Sequence, residues 1–429
     1  MDVHQAPSNL ITTVKNFASW MIKGGLSLLD QAISSGSNFI LNILLARWLG
    51  IHEYGFFALA TAFLSLFYQV QNALVMEPMS VIGTATYPNE IHSYLKQQVK
   101  IHFWIFFPLG LLIAAGATVY GFFGGEAGVR NILITLGILA AFVQLPWLIR
   151  RGFYVLNKPG WAALYSVFYS VILIGLVFLV YYLKWLSAQF SFILMGAASL
   201  GALLCISPVF IGLSSAGGKC GASVVWNQNW NYGRWLLLTG FFITLSSQAP
   251  IYLSGIFIGP EASGVLKAML NFIQPMAMSI SAIVALALPV LSKSRGQGDQ
   301  QTAQRYRKLL IFSLLFIAVL YELILIFFSA PIEQLIYDGR YAEFTHLIPL
   351  WGIVPILSVL ATVFSIKLRV FQKPQGLLLV AIIWTVISLV TGILFINWWG
   401  VMGATISTLI GYAATVIVYY YLDRSIDFT

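Results

Sequence analysis

Twelve apolar runs, most of about twenty residues, follow one another along this chain with only short polar breaks between them. That is the length an α-helix needs to cross the hydrocarbon of a bilayer. The runs lie near 24–47, 54–78, 101–123, 130–149, 161–183, 187–211, 235–258, 264–290, 309–330, 347–368, 376–397 and 401–422. They are too long for the strands of a membrane barrel, which alternate over about ten residues. Composition closes off the soluble alternatives. The chain is 59% hydrophobic and 9% charged, against about 25% charged in a soluble domain. The net charge of +9 would point to nucleic acid in a soluble protein. Here the charges sit in short loops, so they are read as topology markers, and no nucleic-acid partner is expected.

Loop charge orients the chain. Among the 23 Lys and Arg residues, only Arg47, Arg130, Lys184, Lys267 and Arg340 fall on the outer side if the N-terminus is cytoplasmic. Shifting the register by one span destroys that asymmetry. An even number of spans follows, with both termini in the cytoplasm. Aromatic residues collect at outer boundaries, as Tyr181, Tyr182 and Trp185 and as Trp398 and Trp399, where amphipathic rings settle. The polar stretch 1–9 lacks the basic start of a signal peptide and reads as a cytoplasmic tail.

The chain also repeats itself. Gly50-Ile-His-Glu-Tyr-Gly55 returns as Gly259-Pro-Glu-Ala-Ser-Gly264, about half of the 429 residues later. Each copy reads as a compact turn with an apolar helix on either side. Lys158-Pro159 and Lys373-Pro374 open matching spans after basic residues. Lys96 to Lys100 precedes the third span and Arg305 to Lys308 the ninth, while Pro78 and Pro289 end the second span of each half. Six spans per half place the two copies in the same direction across the membrane. The expected fold is an all-α polytopic membrane protein: 12 transmembrane helices in two parallel-repeat six-helix lobes around a central cavity. The lobes are expected at 1–211 and 235–429, joined by a cytoplasmic linker at 212–234.

These features resemble a known family. The ARWLG-x-x-EYG-x-x-ALA turn at 46–60, its echo at 259–264 and the Lys-Pro starts at 158 and 373 are similar to those of the polysaccharide transporters of the multidrug/oligosaccharidyl-lipid/polysaccharide flippase superfamily. The bacterial O-antigen and exopolysaccharide flippases resemble it most. The resemblance implies a protein of the bacterial cytoplasmic membrane. Its implied cargo is an oligosaccharide on undecaprenyl pyrophosphate, carried to the outer leaflet by two lobes rocking around a V-shaped cavity. Membrane lipids, a glycan polymerase and other export machinery are the implied partners. The family has no invariant catalytic signature to carry over.

Polar residues inside apolar runs are expensive and therefore informative. Gln31, Ser34, Asn38 and Asn42 fall at three- and four-residue steps in the first span and share a face. That stripe lines a wet cavity, or it is hydrogen-bond glue between helices. Asn271 and Gln274 in the eighth span, with Thr244, Ser246, Ser247 and Gln248 in the seventh, would form a facing wall. Tyr68, Tyr252 and Trp384 suit sugar faces, or pack. Pro250 and Pro275 are candidate bend points. Lys267 would offer a cation to a pyrophosphate or acidic sugar, or snorkel outward. Arg47 at the end of the first span suits bidentate phosphate contact, or anchors at the interface. Arg150, Arg151 and Arg234 lie at the expected cytoplasmic mouth, as substrate contacts or topology anchors. Asp30, Glu77 and Glu322 are the candidates for proton coupling, with a structural ion pair as the alternative for each.

No enzyme signature is present. There is no GxxxxGK[ST] loop, no HExxH and no Cys/His cluster; the two cysteines, Cys205 and Cys220, have no ligand spacing. No catalytic residue, metal or cofactor is expected. The rivals to the flippase reading are a multidrug/cation antiporter of the same superfamily, a membrane glycan polymerase or ligase, and the lipid II flippase branch, whose members typically add two spans to the twelve expected here. A cation antiporter would favour an acidic cavity. A polymerase would favour a large outer loop rich in carboxylates, whereas the longest outer loop here, near 331–346, is short.

Overall fold

The computed structural model describes residues 6–206, 220–296, 300–370 and 374–424. Among these, every regular element is helical and none is a strand. In chain order the helices are α1 (Ala6–Trp48), α2 (Ile51–Gln71), a π-helical turn (Asn72–Met76), α3 (Glu77–Thr86), α4 (Ile91–Phe122), α5 (Ala127–Val143), α6 (Leu145–Val155), α7 (Pro159–Tyr182) and α8 (Ala188–Cys205). They continue as α9 (Ala222–Phe257), α10 (Pro260–Gly296), α11 (Gln300–Tyr337), a 3₁₀ turn (Ala342–Leu347), α12 (Ile348–Val370) and α13 (Pro374–Arg424). Nine helical stretches among the described residues are long and apolar enough to cross a membrane. This is a multi-pass membrane protein. Twelve is a finer count than those nine. Expected runs one and eight lie within α1 and α10, and runs eleven and twelve share α13.

Local sequence explains where the helices start and break. Pro159, Pro260 and Pro374 open α7, α10 and α13; a first-turn proline gives up only an N–H that has no helical partner anyway. Ser187 caps α8, its hydroxyl accepting from the Phe190 amide at 3.2 Å. Pro250 and Pro275 lie inside continuous helices, and the breaks in helical φ/ψ lie elsewhere. They fall at Phe328, three residues ahead of Pro331 in α11, and at Gly400 in α13, whose φ of 57° and ψ of −131° suit glycine. Pro78 does not end its span either. The π turn just before it re-phases the backbone, with the Glu77 amide bonding Asn72 O, and the helix runs on to Thr86.

The chain packs as two compact units that interleave in sequence. The first comprises Met1–Ile40 and Val70–Arg234; the second comprises Leu41–Gln69 and Trp235–Thr429. Contact thus groups 41–69 with the C-terminal residues, while the repeat assigns them to the first half of the sequence. Of the expected linker, 212–219 lie outside the described residues, and 222–234 form the start of α9.

In the first unit α4 and α5 cross backbone to backbone. A Cβ on Gly137 would lie 2.5 Å from the Gly110 carbonyl oxygen, the close approach that small residues permit between membrane helices. Polar side chains then tie the helices together away from water. Gln71 donates to Gln144 O at 3.0 Å and lies 3.2 Å from the His102 ring, which reaches Ala141 O at 2.9 Å. Gln98 and Asn229 exchange amide hydrogen bonds of 3.2 and 2.8 Å.

In the second unit an apolar core of Met276, Ile280, Leu314, Ala318, Val359 and Val363 joins α10, α11 and α12. Ser246 and Thr385 bond at 2.6 Å, and the Trp351 indole donates to Thr405 at 3.1 Å. The repeated glycine turns are tighter than expected. Each is essentially one glycine, Gly50 or Gly259, after which the helix resumes at once. The rest of each motif forms the first turn of α2 and of α10. The far glycines of the two copies meet there: a Cβ on Gly264 would lie 2.7 Å from Ile51 O and 2.9 Å from Gly55 N. His52 and Glu261 approach to 3.5 Å at the same junction.

Candidate functional site

A polar cavity of about 230 Å³ lies inside the second unit. Helix α10 supplies Lys267, Asn271 and Gln274, which recur at four- and three-residue steps and so share a face. Asn42 enters from α1, and Ser246, Ser247 and Gln248 from α9. Trp351 comes from α12, and Trp384, Ser388, Thr408 and Tyr412 from α13. The Trp384 and Tyr412 rings stand 5.1 Å apart between centroids and form an aromatic wall.

The cavity is organised around one charge. Lys267 sits two turns into α10, half-buried, and has no hydrogen-bond or ion partner among the described residues. Its neighbour Asn271 is held in place: its amide donates to Tyr54 Oη at 3.2 Å and to Tyr337 Oη at 3.1 Å. Tyr337 in turn donates to Ala268 O at 2.9 Å. No carboxylate is among the residues lining the cavity. Such a site offers an ammonium group, amides, hydroxyls and aromatic faces. It suits an anion or a polyol and disfavours a cation.

Of the residues singled out from sequence, Asn42, Lys267, Asn271 and Gln274 therefore lie together. The rest of the first-span stripe has other work, in the first unit. Asp30 is fully buried and receives Arg150 Nε at 3.0 and 3.1 Å, Arg150 Nη2 at 2.8 Å, Tyr154 Oη at 2.5 Å and Ser166 Oγ at 2.5 Å. Arg150 also donates to Ser34 Oγ at 2.7 Å and to Gln31 Oε1 at 3.4 Å. Asn38 turns back to Ser34 O at 2.9 Å, and Gln31 reaches Ser35 at 2.9 Å. A buried carboxylate is tolerable only when paired and hydrogen-bonded, and here both acceptor oxygens are engaged. Asp30 and Arg150 form an ion pair in the structure, neither one free.

The remaining candidates stand apart. Arg47 reaches Leu335 O at 3.4 Å and Asp338 at 3.8 Å, where Arg340 also bonds Leu49 O. Tyr341 closes that corner: its amide donates to Glu333 at 2.8 Å, and burial, then the neighbouring Tyr337 hydroxyl, push its phenol up, so it stays a neutral donor to Ala46 O. Arg151 lies 3.8 Å from Glu77, both partly exposed. Arg234 is exposed in α9. Glu322 is buried against Gly352, its Oε2 without a hydrogen-bond partner. Tyr252 is spoken for by Ala62 O at 2.6 Å.

Sequence reasoning missed Trp351, Ser388, Thr408 and Tyr412 at the cavity, and Tyr154 and Ser166 at Asp30. The four-residue spacings from Trp384 to Ser388 and from Thr408 to Tyr412 were available as a signal. Nothing local marks Ser166 as a partner of a residue 136 positions away.

No family model matches this chain, and no curated protein does. Solved structures do match. A multidrug resistance MATE family transporter of the MOP superfamily, in an inward-facing conformation, aligns over 93% of this chain and 97% of its own, with a TM-score of 0.72 at 13% identity. The chain shares that fold. The lipid II flippase MurJ, inward closed, aligns over 93% of this chain and 87% of its own, with a TM-score of 0.73 at 13% identity. The MATE transporter VcmN of Vibrio cholerae aligns over 95% of this chain and 99% of its own, with a TM-score of 0.62 at 13% identity. The MATE and MurJ fold is two-lobed and all-helical, and those neighbours are transporters and a flippase. At these identities the likeness is one of fold.

Proposed function

We propose that this protein is a transporter of the same superfamily that flips an undecaprenyl-pyrophosphate-linked oligosaccharide, an O-antigen or exopolysaccharide repeat unit, from the cytoplasmic to the outer leaflet by alternating access. One observation carries the reading: a polar cavity in which Lys267 is the one charged lining residue and has no partner, among the described residues. A lysine without an acid partner inside a membrane helix is expensive unless it meets an anion or water. A pyrophosphate or acidic sugar supplies that anion. The amides of Asn42, Asn271 and Gln274 and the Trp384–Tyr412 wall suit the hydroxyls and faces of a sugar. A cavity of about 230 Å³ is below the ~300–1,000 Å³ of sites that enclose whole drug-sized ligands, so it takes one phosphate or one sugar unit while the rest of the cargo lies outside it. The prenyl tail stays in lipid throughout.

The wider setting follows from the same reading: a bacterial cytoplasmic membrane, termini in the cytoplasm, and glycan polymerase and export machinery as partners. Among the proton-coupling candidates, Asp30 and Glu77 have basic partners, and Glu322 is the one with an unsatisfied oxygen. It is the residue we assign to coupling.

The rival is export of cationic drugs. The fold match to a multidrug transporter favours it; the charge of the cavity opposes it. Translocation of a lipid-linked oligosaccharide into the outer leaflet of proteoliposomes, beside efflux of a cationic dye from the same vesicles, separates the two. Glycan translocation without dye efflux supports the flippase. The reverse result rejects it.

A further inference from the structure

A second cavity, of about 270 Å³, lies in the first unit where α4 begins, walled by α3, α4 and α6. Its chemistry differs from that of the Lys267 site. Apart from His92, Lys96 and Lys100, every lining residue is apolar, with Met79, Leu95, Val99, Leu148, Phe153 and Leu156 among them. The three basic residues recur every four positions and form one line along α4. Lys96 and Lys100 are exposed, neither has an acidic partner among the described residues, and no carboxylate lines the cavity. This part of α4 precedes the apolar run that starts at Ile101, so it sits at the boundary between water and hydrocarbon.

An apolar slot at that depth in a membrane protein meets lipid chains, and ammonium groups at its rim meet lipid headgroups. Basic pockets between helices near the membrane surface are suited to anionic headgroups. Lysine as a compact point charge on a long stem suits a phosphodiester at the interface. We propose that this cavity is a binding site for an anionic glycerophospholipid, one acyl chain lying in the slot and the phosphate between Lys96 and Lys100. The site is independent of which cargo the protein carries.

The test uses the full chain purified in detergent, with phosphatidylglycerol, phosphatidylcholine or inorganic phosphate added. Thermal unfolding gives stability, and native mass spectrometry counts retained lipids on folded ions. Phosphatidylglycerol raises Tm and is retained; phosphatidylcholine and inorganic phosphate do neither. The Lys96→Gln/Lys100→Gln double variant loses at least half of the Tm shift and the retained lipid. Arg305→Gln/Lys308→Gln, an equal change of charge in the second unit, keeps both. Leu156→Trp, which fills the slot and leaves the lysines, loses the retained lipid. Equal retention by wild type and the lysine double variant overturns the proposal. So does equal loss in the Arg305/Lys308 control, or full retention by Leu156→Trp.

Discussion

Gly55 and Gly264, the matching last glycines of the two repeat copies, lie against each other: a Cβ on Gly264 would stand 2.9 Å from the Gly55 nitrogen. A sequence motif written twice has folded so that its two copies touch, with backbone meeting backbone where side chains have been removed. On the other side of the junction, a Cβ on Gly55 would run into the Pro260 carbonyl.

Gly55→Ala and Gly264→Ala should each destabilise the protein, because the obstructing atoms are backbone and cannot swing aside. Overpacking of this kind costs about 1–3 kcal/mol. The two changes act on one contact, so the double variant should cost less than the sum. Thermal unfolding in detergent reads both effects. Alanine tolerated at both sites would mean the junction is looser than described.

The Asp30–Arg150 pair makes a different kind of prediction. Removing one partner strands a buried charge, at about 3–5 kcal/mol; removing both for apolar residues of similar size is near neutral or stabilising. Asp30→Ala and Arg150→Ala should therefore each lower Tm sharply, and Asp30→Leu/Arg150→Met should recover most of it. If the two single variants melt like wild type, the pair is not the structural element the geometry describes.

Lys267 should behave in the opposite way. It has no partner to strand, so Lys267→Gln should leave Tm unchanged or raised. Binding of an anionic cargo should weaken. A hydrogen bond to a charged group is worth about 1.5–3 kcal/mol, which is about 10–150-fold in affinity. Lys267→Arg should retain part of the binding. Titration calorimetry with a soluble pyrophosphate-linked sugar measures this directly.

Glu322 lies against Gly352, where an added Cβ would strike its carboxyl group. Glu322→Gln removes a charge that has no partner for Oε2, so the fold should survive with equal or higher Tm. Transport driven by a proton gradient should be lost, while downhill exchange without the gradient persists. A variant that still responds to the gradient would remove Glu322 from coupling.

What could be read from the sequence divides along a physical line. Features set by local chemistry were legible. Apolar runs, Lys-Pro helix starts and the placing of Asn271 and Gln274 on one polar wall all follow from spacing along one helix. Features set by distant contacts were not. Loop position alone leaves Arg150 as a substrate contact or a topology anchor, because its partner Asp30 is 120 residues away. Spacing puts the polar stripe of the first span on one face and leaves cavity lining and hydrogen-bond glue both open; the structure divides the stripe between them. Gln31 and Ser34 serve Arg150, while Asn42 lines the Lys267 cavity. Helix α3 outlasts Pro78 because a π turn absorbs the proline, an event that hydropathy does not record.

The most direct test of the account is translocation of a tagged undecaprenyl-pyrophosphate oligosaccharide in proteoliposomes containing the purified chain or its Lys267→Gln variant. The account predicts that the wild-type protein moves the glycan to the opposite leaflet well above the rate of empty vesicles, and that the variant, equally folded, is slower by about tenfold or more. Glycan movement at the empty-vesicle rate, or equal rates for wild type and variant, would contradict it.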